Sequence, residues 1–242
     1  KSVRSSEAFR LVCYSKSLCM LLISLGAPVG NKVVNNLEIP KWIKNSNRHV
    51  KREFLATLLG CEIDTPRLDD RKYNRKSFNC PRFSMNKIEK NIENGKSFIR
   101  EISDMCNDFG VETYKIRLVP YAQRKDGNKS VKIILDFSNK FENLINLYGS
   151  VGLKYCKKKE TQLRLALEYL LMKKHVVEER KRLFELALDI KNKGLPLNQI
   201  HEQLSSDIVT KKDLWLWLNK NVKKRNIKVP NDFPNFIVWK KD

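Results

Sequence analysis

Cations dominate the side chains able to do chemistry in this chain: 48 Lys and Arg stand against 27 Asp and Glu, a formal charge of +21. The excess runs from Lys1 to Lys241 rather than collecting in one tail, so it must decorate the folded surface. Such a field selects a polyanion. A membrane-surface protein could carry the same charge, but its even spread favours nucleic acid over a tethered membrane patch. The segment from Ile63 to Phe83 mixes Asp, Asn, Arg and Lys with Pro66 and Pro81, and reads as exposed loop or ribbon able to lie on a groove.

Other chemistries are poorly supplied. The cysteines Cys13, Cys19, Cys61, Cys80, Cys106 and Cys156 form no C-x-x-C pair, and with 3 His this argues against a structural zinc site. Flanks such as Leu11-Val-Cys-Tyr14 point to buried, reduced thiols in a cytosolic protein. The longest apolar run, Leu18 to Leu25, includes Ser24 and falls short of the roughly 18 residues that a bilayer span needs, so a soluble, cytoplasmic chain without a membrane partner is expected. With 41% hydrophobic residues the chain can bury a real core. It opens on Lys1 and lacks a signal-peptide pattern, which reads as a fragment or a processed product.

These groups must be positioned by a mixed set of elements. Ala8 to Tyr14 reads as a strand, and Lys16 to Leu25 as a helix ended by Gly26 and Pro28. Lys32 to Trp42 is an extended connector, and Val50 to Cys61 an apolar helix. Asn86 to Phe109 repeats apolar residues at helical spacing, as one helix or a broken pair closed by Gly110. Thr113 to Pro120 and Val131 to Phe137 are strand-like and flank Asp126-Gly127, a hairpin signal. Asn139 to Tyr148 and Thr161 to Lys193 read as helices.

From Arg180 to Asn221 the order is helix, Gly194-Leu-Pro196, helix Leu197 to Leu204, turn, helix Thr210 to Asn221, the spacing of a helix-turn-helix. Its last helix would place Lys211, Lys212 and Lys220 on phosphate, with Trp215 and Leu218 fixing it to the core. A three-helix cap without any nucleic-acid contact has the same pattern.

Taken alone, the helix ending Gly60-Cys-Glu62 reads as a packed helix with a surface acid. In full, Phe54-Leu-Ala-Thr-Leu-Leu-Gly-Cys-Glu-Ile63 resembles the motif of the LAGLIDADG homing endonucleases, in their archaeal, intein-borne (DOD-type) branch. Ser24-Leu-Gly-Ala-Pro-Val-Gly-Asn-Lys32 and Ile39-Pro-Lys-Trp-Ile43 precede it in that family's order. Asn128-Lys-Ser-Val-Lys-Ile-Ile-Leu135 and Ser138-Asn-Lys-Phe-Glu-Asn-Leu144 resemble the end of its repeat. Small Ala56, Thr57 and Gly60 would let two such helices approach closely.

The resemblance, over residues 8–172, implies an α+β fold. Residues 1–49 would be the tail of a first repeat with its connector, 50–172 a second αββαββα saddle repeat, and 173–242 a helical, helix-turn-helix-like region. It implies a site-specific endonuclease on double-stranded DNA, with Glu62 as catalytic acid and ligand for Mg²⁺ or another divalent cation. Lys132 would polarise the scissile phosphate, with Lys129 at the mouth of its strand. Arg67, Arg71, Lys72, Arg75, Lys76, Arg82, Arg117, Arg124 and Lys125 would read DNA from the saddle.

The family pairs two motif acids, and this sequence shows one. The other would come from a second copy or from a missing N-terminal repeat. The alternatives are a repressor or maturase-like DNA- or RNA-binding derivative that needs no metal, and a structural nucleic-acid protein outside the family.

Overall fold

The computed structural model describes residues 12–68, 77–124, 126–204, 206–220 and 222–240. Its architecture is α+β, helices around one small antiparallel sheet. Helix α1 (Lys16–Ser24) starts under the Ser15 cap, and a short α2 (Lys41–Lys44) follows a connector. Residues 12–14 of the expected first strand are not in a strand, and the rest of that stretch lies outside the described residues.

The apolar helix is α3 (Arg48–Glu62), capped by Asn47, whose side chain accepts from the Val50 amide at 3.1 Å. Leu55, Ala56 and Leu59 lie at helical spacing and are fully buried. One turn further on, helix and loop meet backbone to backbone. A β-carbon on Gly60 would lie 2.3 Å from the carbonyl oxygen of Lys154, so only glycine fits.

Strand β1 (Arg82–Ile88) occupies part of what the sequence reading gave to loop and helix. Its alternation is plain in the structure: Phe83, Met85 and Lys87 point to the helices, while Arg82, Ser84 and Asn86 take the other side. After a short 3-10 turn the chain forms α4 (Ile92–Asn107), then β2 (Arg117–Gln123) and β3 (Lys129–Asp136). β3 lies between the others, with Met85 opposite Ile133 and Ile133 opposite Leu118. Gly127 at φ +78° turns the hairpin, where the Arg124 amide donates to the Asn128 carbonyl.

Lys87, wholly buried on the helix side, donates to the Asn35 carbonyl at 2.5 Å, and burial lowers its pKa. Asn94 brackets Leu37 through both its amide and its carbonyl. These bonds tie the connector to β1 and to α4.

Helix α5 (Phe141–Ile145) runs into a π-turn over 146–151, and α6 (Lys157–Asn192) spans 36 residues. The first half of α6 gives Leu163, Ala166, Tyr169 and Leu170 to the main core. Its second half gives Leu183, Phe184 and Ala187 to a separate cluster with α7 (Leu197–Gln203) and α8 (Lys211–Asn219). Tyr169 packs among Phe233, Phe236 and Trp239 from the tail and its last helix, α9 (Phe236–Trp239).

In the smaller cluster Arg180, 4% exposed, donates to Asp213 and to the Ile208 carbonyl and lies over the Trp217 ring. Thr210 and Asp213 form a capping box at the start of α8. The helix phase corrects one expectation: Leu214 and Trp217 face inward, whereas Trp215, one residue out of phase, is 45% exposed. The thiols are corrected too. Only Cys106 is buried; Cys13, Cys19 and Cys61 are exposed and Cys80 and Cys156 half-buried, Cys61 because it falls on the outward side of α3, Cys19 because α1 buries no residue, and Cys13, Cys80 and Cys156 because they lie outside the helices and strands. Among the described residues no helix is long and apolar enough to cross a membrane.

Gly60→Ala should destabilise the protein by about 1–3 kcal/mol, since overpacking against a fixed backbone outweighs the ~1 kcal/mol gain in helix propensity. Urea denaturation of the two proteins checks this; equal midpoints would show that the Lys154 loop can move away.

Candidate nucleic-acid interface

The side of the sheet away from the helices carries Arg82, Ser84 and Asn86 from β1, Lys132 and Asp136 from β3, and Arg117 and Val119 from β2. Register sets their rows: Asn86 opposite Lys132 opposite Val119, and Arg82 opposite Asp136.

Asp136 organises this face. Its two oxygens accept from Arg82 Nε at 2.9 Å and from Arg117 Nε at 2.8 Å and Nη2 at 2.5 Å. Burial opposes ionisation of Asp136, but the two guanidiniums outweigh it and hold the carboxyl below the usual aspartate value. The bond to Asp136 likewise raises the pKa of Arg82. Both arginine side chains stay about half exposed, so one carboxylate aims two guanidiniums while leaving a net positive charge. Beside them, Asn86 Oδ1 is buried and has no hydrogen-bond partner among the described residues.

Arg67 joins this region. It lines a cavity of about 420 Å³ with Asp64, Asn79, Cys80, Arg82 and Tyr148. Arg124 pairs with Asp126 in the hairpin at 3.1 Å, and Lys129 is exposed where β3 begins. Lys211 and Lys212 are exposed in the first turn of α8. Arg71, Lys72, Arg75, Lys76 and Lys125 lie outside the described residues.

Glu62 ends α3, half-buried and paired with Lys32 Nζ at 2.9 Å. It lines a largely apolar cavity of about 560 Å³ with Leu22, Trp42, Phe54, Phe83 and Met85. Phe83 and Met85 belong to the helix side of the sheet, and Lys132 to the other. Among the described residues, no three His, Cys, Asp or Glu side chains gather as a metal set.

The sequence reading missed Asp136, Asn86 and Lys32. A signal for Asn86 was present, because Arg82-Phe-Ser-Met-Asn86 alternates with a period of two.

No family model matches the chain, and no solved structure does. It is 34% identical over 180 residues to the DNA-directed RNA polymerase subunit Rpo1N of Methanocaldococcus jannaschii, covering 74% of this chain and 13% of that protein. It is 26% identical over 231 residues to the tRNA-splicing ligase RtcB of Methanopyrus kandleri, covering 94% of this chain and 22% of that protein. It is also 31% identical over 162 residues to the replication factor C small subunit of M. jannaschii, covering 66% of this chain and 8% of that protein. The chain thus spans about a fifth or less of each of these relatives.

These relatives correct the expected activity and partner. Proteins matched over nearly the whole chain are named tRNA-splicing ligases, whose name speaks of joining RNA. That overturns the expectation of an endonuclease, a hydrolase cutting double-stranded DNA. The physical reason is that ordered helices and strands specify a fold, and chemistry must be argued from the site. Here Glu62 lies against a lysine, with no second acid of its kind beside it among the described contacts.

Because the folded pKa of Asp136 is depressed, its contribution to stability is present above the ordinary value of 3.8 and is lost as pH falls through the folded value. Urea midpoints of wild type and Asp136→Asn should therefore differ near neutral pH and converge in acid. A gap that persisted unchanged to low pH would remove the carboxylate from this role.

Proposed function

We propose that this chain is an RNA-binding unit of a larger nucleic-acid-processing protein, gripping the sugar–phosphate backbone with the basic side chains on the outer face of its sheet. The observation that carries the reading is the set of Arg82, Arg117 and Lys132 on the sheet face turned away from the helices, where both guanidinium side chains stay about half exposed. Guanidinium pairs suit phosphate oxygens. The RtcB relatives supply the preference for RNA.

Residues 50–172 support a LAGLIDADG-type saddle repeat as the scaffold of this grip. α3, β1, α4, β2, β3 and α5 follow αββαββα order, with the Leu68–Phe78 bridge where its first strand would fall. The ligation named for RtcB is not assigned to these residues. Three differently named proteins share the segment, so its contribution must suit all three, and a backbone grip does.

A divalent cation such as Mg²⁺ would be held by Glu62 together with its own waters, on the helix side of the sheet and apart from the face that grips RNA, since that ion keeps several waters and takes few carboxylates. Lys132 would act as a phosphate contact.

The test is fluorescence anisotropy with a labelled RNA hairpin and a DNA duplex of equal length across a salt series. RNA should bind more tightly. Lys132→Ala should weaken RNA binding several-fold and reduce the slope of log K against log salt by about one. Tighter binding to the DNA duplex, or an unchanged Lys132→Ala, would refute the reading.

A further inference from the structure

The outer face of α8 is built unlike a solvated helix. Trp215 and Leu216 are 45% and 36% exposed, although Leu214 and Trp217 already supply the buried side. Around this apolar pair stand the exposed Lys211, Lys212, Asn219 and Lys220. Lys220 Nζ lies 5.6 Å from the centre of the Trp215 ring, and Asn219 Nδ2 donates to the Trp215 carbonyl at 3.0 Å.

The support beneath is rigid. α8 is fixed by the capping box at Thr210, by the Arg180–Asp213 pair and by the Trp217 ring against Phe184. The indole is therefore presented on a held helix, with cations at both ends.

We infer that Trp215 is a stacking platform for an unpaired base of single-stranded RNA, with Lys211, Lys212 and Lys220 holding the flanking phosphates. An exposed ring offers an apolar face to any base, and stacking on it is sequence-tolerant. Charge complementarity decides the occupant: an apolar partner segment would gain nothing from the lysines, and an anionic strand carrying aromatic bases uses both. The cluster lies in a core separate from that of the sheet, so it would hold a single-stranded stretch while the sheet holds backbone. This inference rests on the RNA-binding reading.

The experiment uses the whole chain and a labelled single-stranded RNA of about a dozen nucleotides, followed by anisotropy. Trp215→Ala should weaken binding roughly tenfold with an unchanged salt slope, because stacking releases no counterions. Trp215→Phe should retain most of the affinity. Replacing the RNA by an abasic ribose-phosphate strand should bring wild type down to the level of Trp215→Ala. If Trp215→Ala binds the RNA as tightly as wild type, the platform is wrong while the RNA reading stands. If wild type binds neither this strand nor the hairpin, both fall.

Discussion

Everything around the proposed grip hangs on the contact between the end of α3 and the loop that leads into α6. The Lys154 amide donates to the Ala56 carbonyl at 3.0 Å, in a space that only Gly60 leaves open. Lys154 Nζ reaches Glu53 at 2.6 Å, and Lys159 Nζ donates to the carbonyls of Cys61 and Ile63. Lys159 thus meets free carbonyls at the negative dipole end of α3. Where α3 stops is therefore fixed, and with it the positions of Glu62, Asp64 and the chain running on to Arg67.

A chain at +21 must also hold its like charges together, and the sheet shows how. Asp136 spends one carboxylate to set two guanidiniums side by side, where they would otherwise repel. In the smaller core a carboxylate again meets a guanidinium, where Asp213 receives the buried Arg180. On the sheet the acid shapes a cationic surface without cancelling it, while in the smaller core it neutralises a buried guanidinium.

Much of this was legible in the residues. The apolar spacing from Val50 to Cys61 gave α3, Asp126-Gly127 gave the hairpin, and Gly194-Leu-Pro196 gave the break before α7. β1 was lost because Ile88 and Ile92 continue an apolar rhythm into α4, which masked the shorter alternation before it. Trp215 and Trp217 could not be told apart by composition: which one is buried depends on the phase of α8 against α6, and only tertiary packing sets that. The partners of Glu62 and Asp136 lie 30 and 54 residues away or, for Arg117, 19, and no local pattern pairs them. Activity was misread because a ten-residue helix motif reports how a helix packs, while chemistry depends on what gathers at its end.

Helix α6 passes through both cores without a break, gripping one with its first half and the other with its second. It works as a crankshaft. Each residue advances a helix by about 1.5 Å and turns it by about 100°. Adding one residue between Met172 and Arg180 would swing α8 about a quarter of the way round the rod relative to the sheet, while four would nearly restore its heading one turn further out. The alignment of the two cationic surfaces is thus encoded as a residue count, and lineages could retune the path of a bound strand by changing length alone, with every side chain kept.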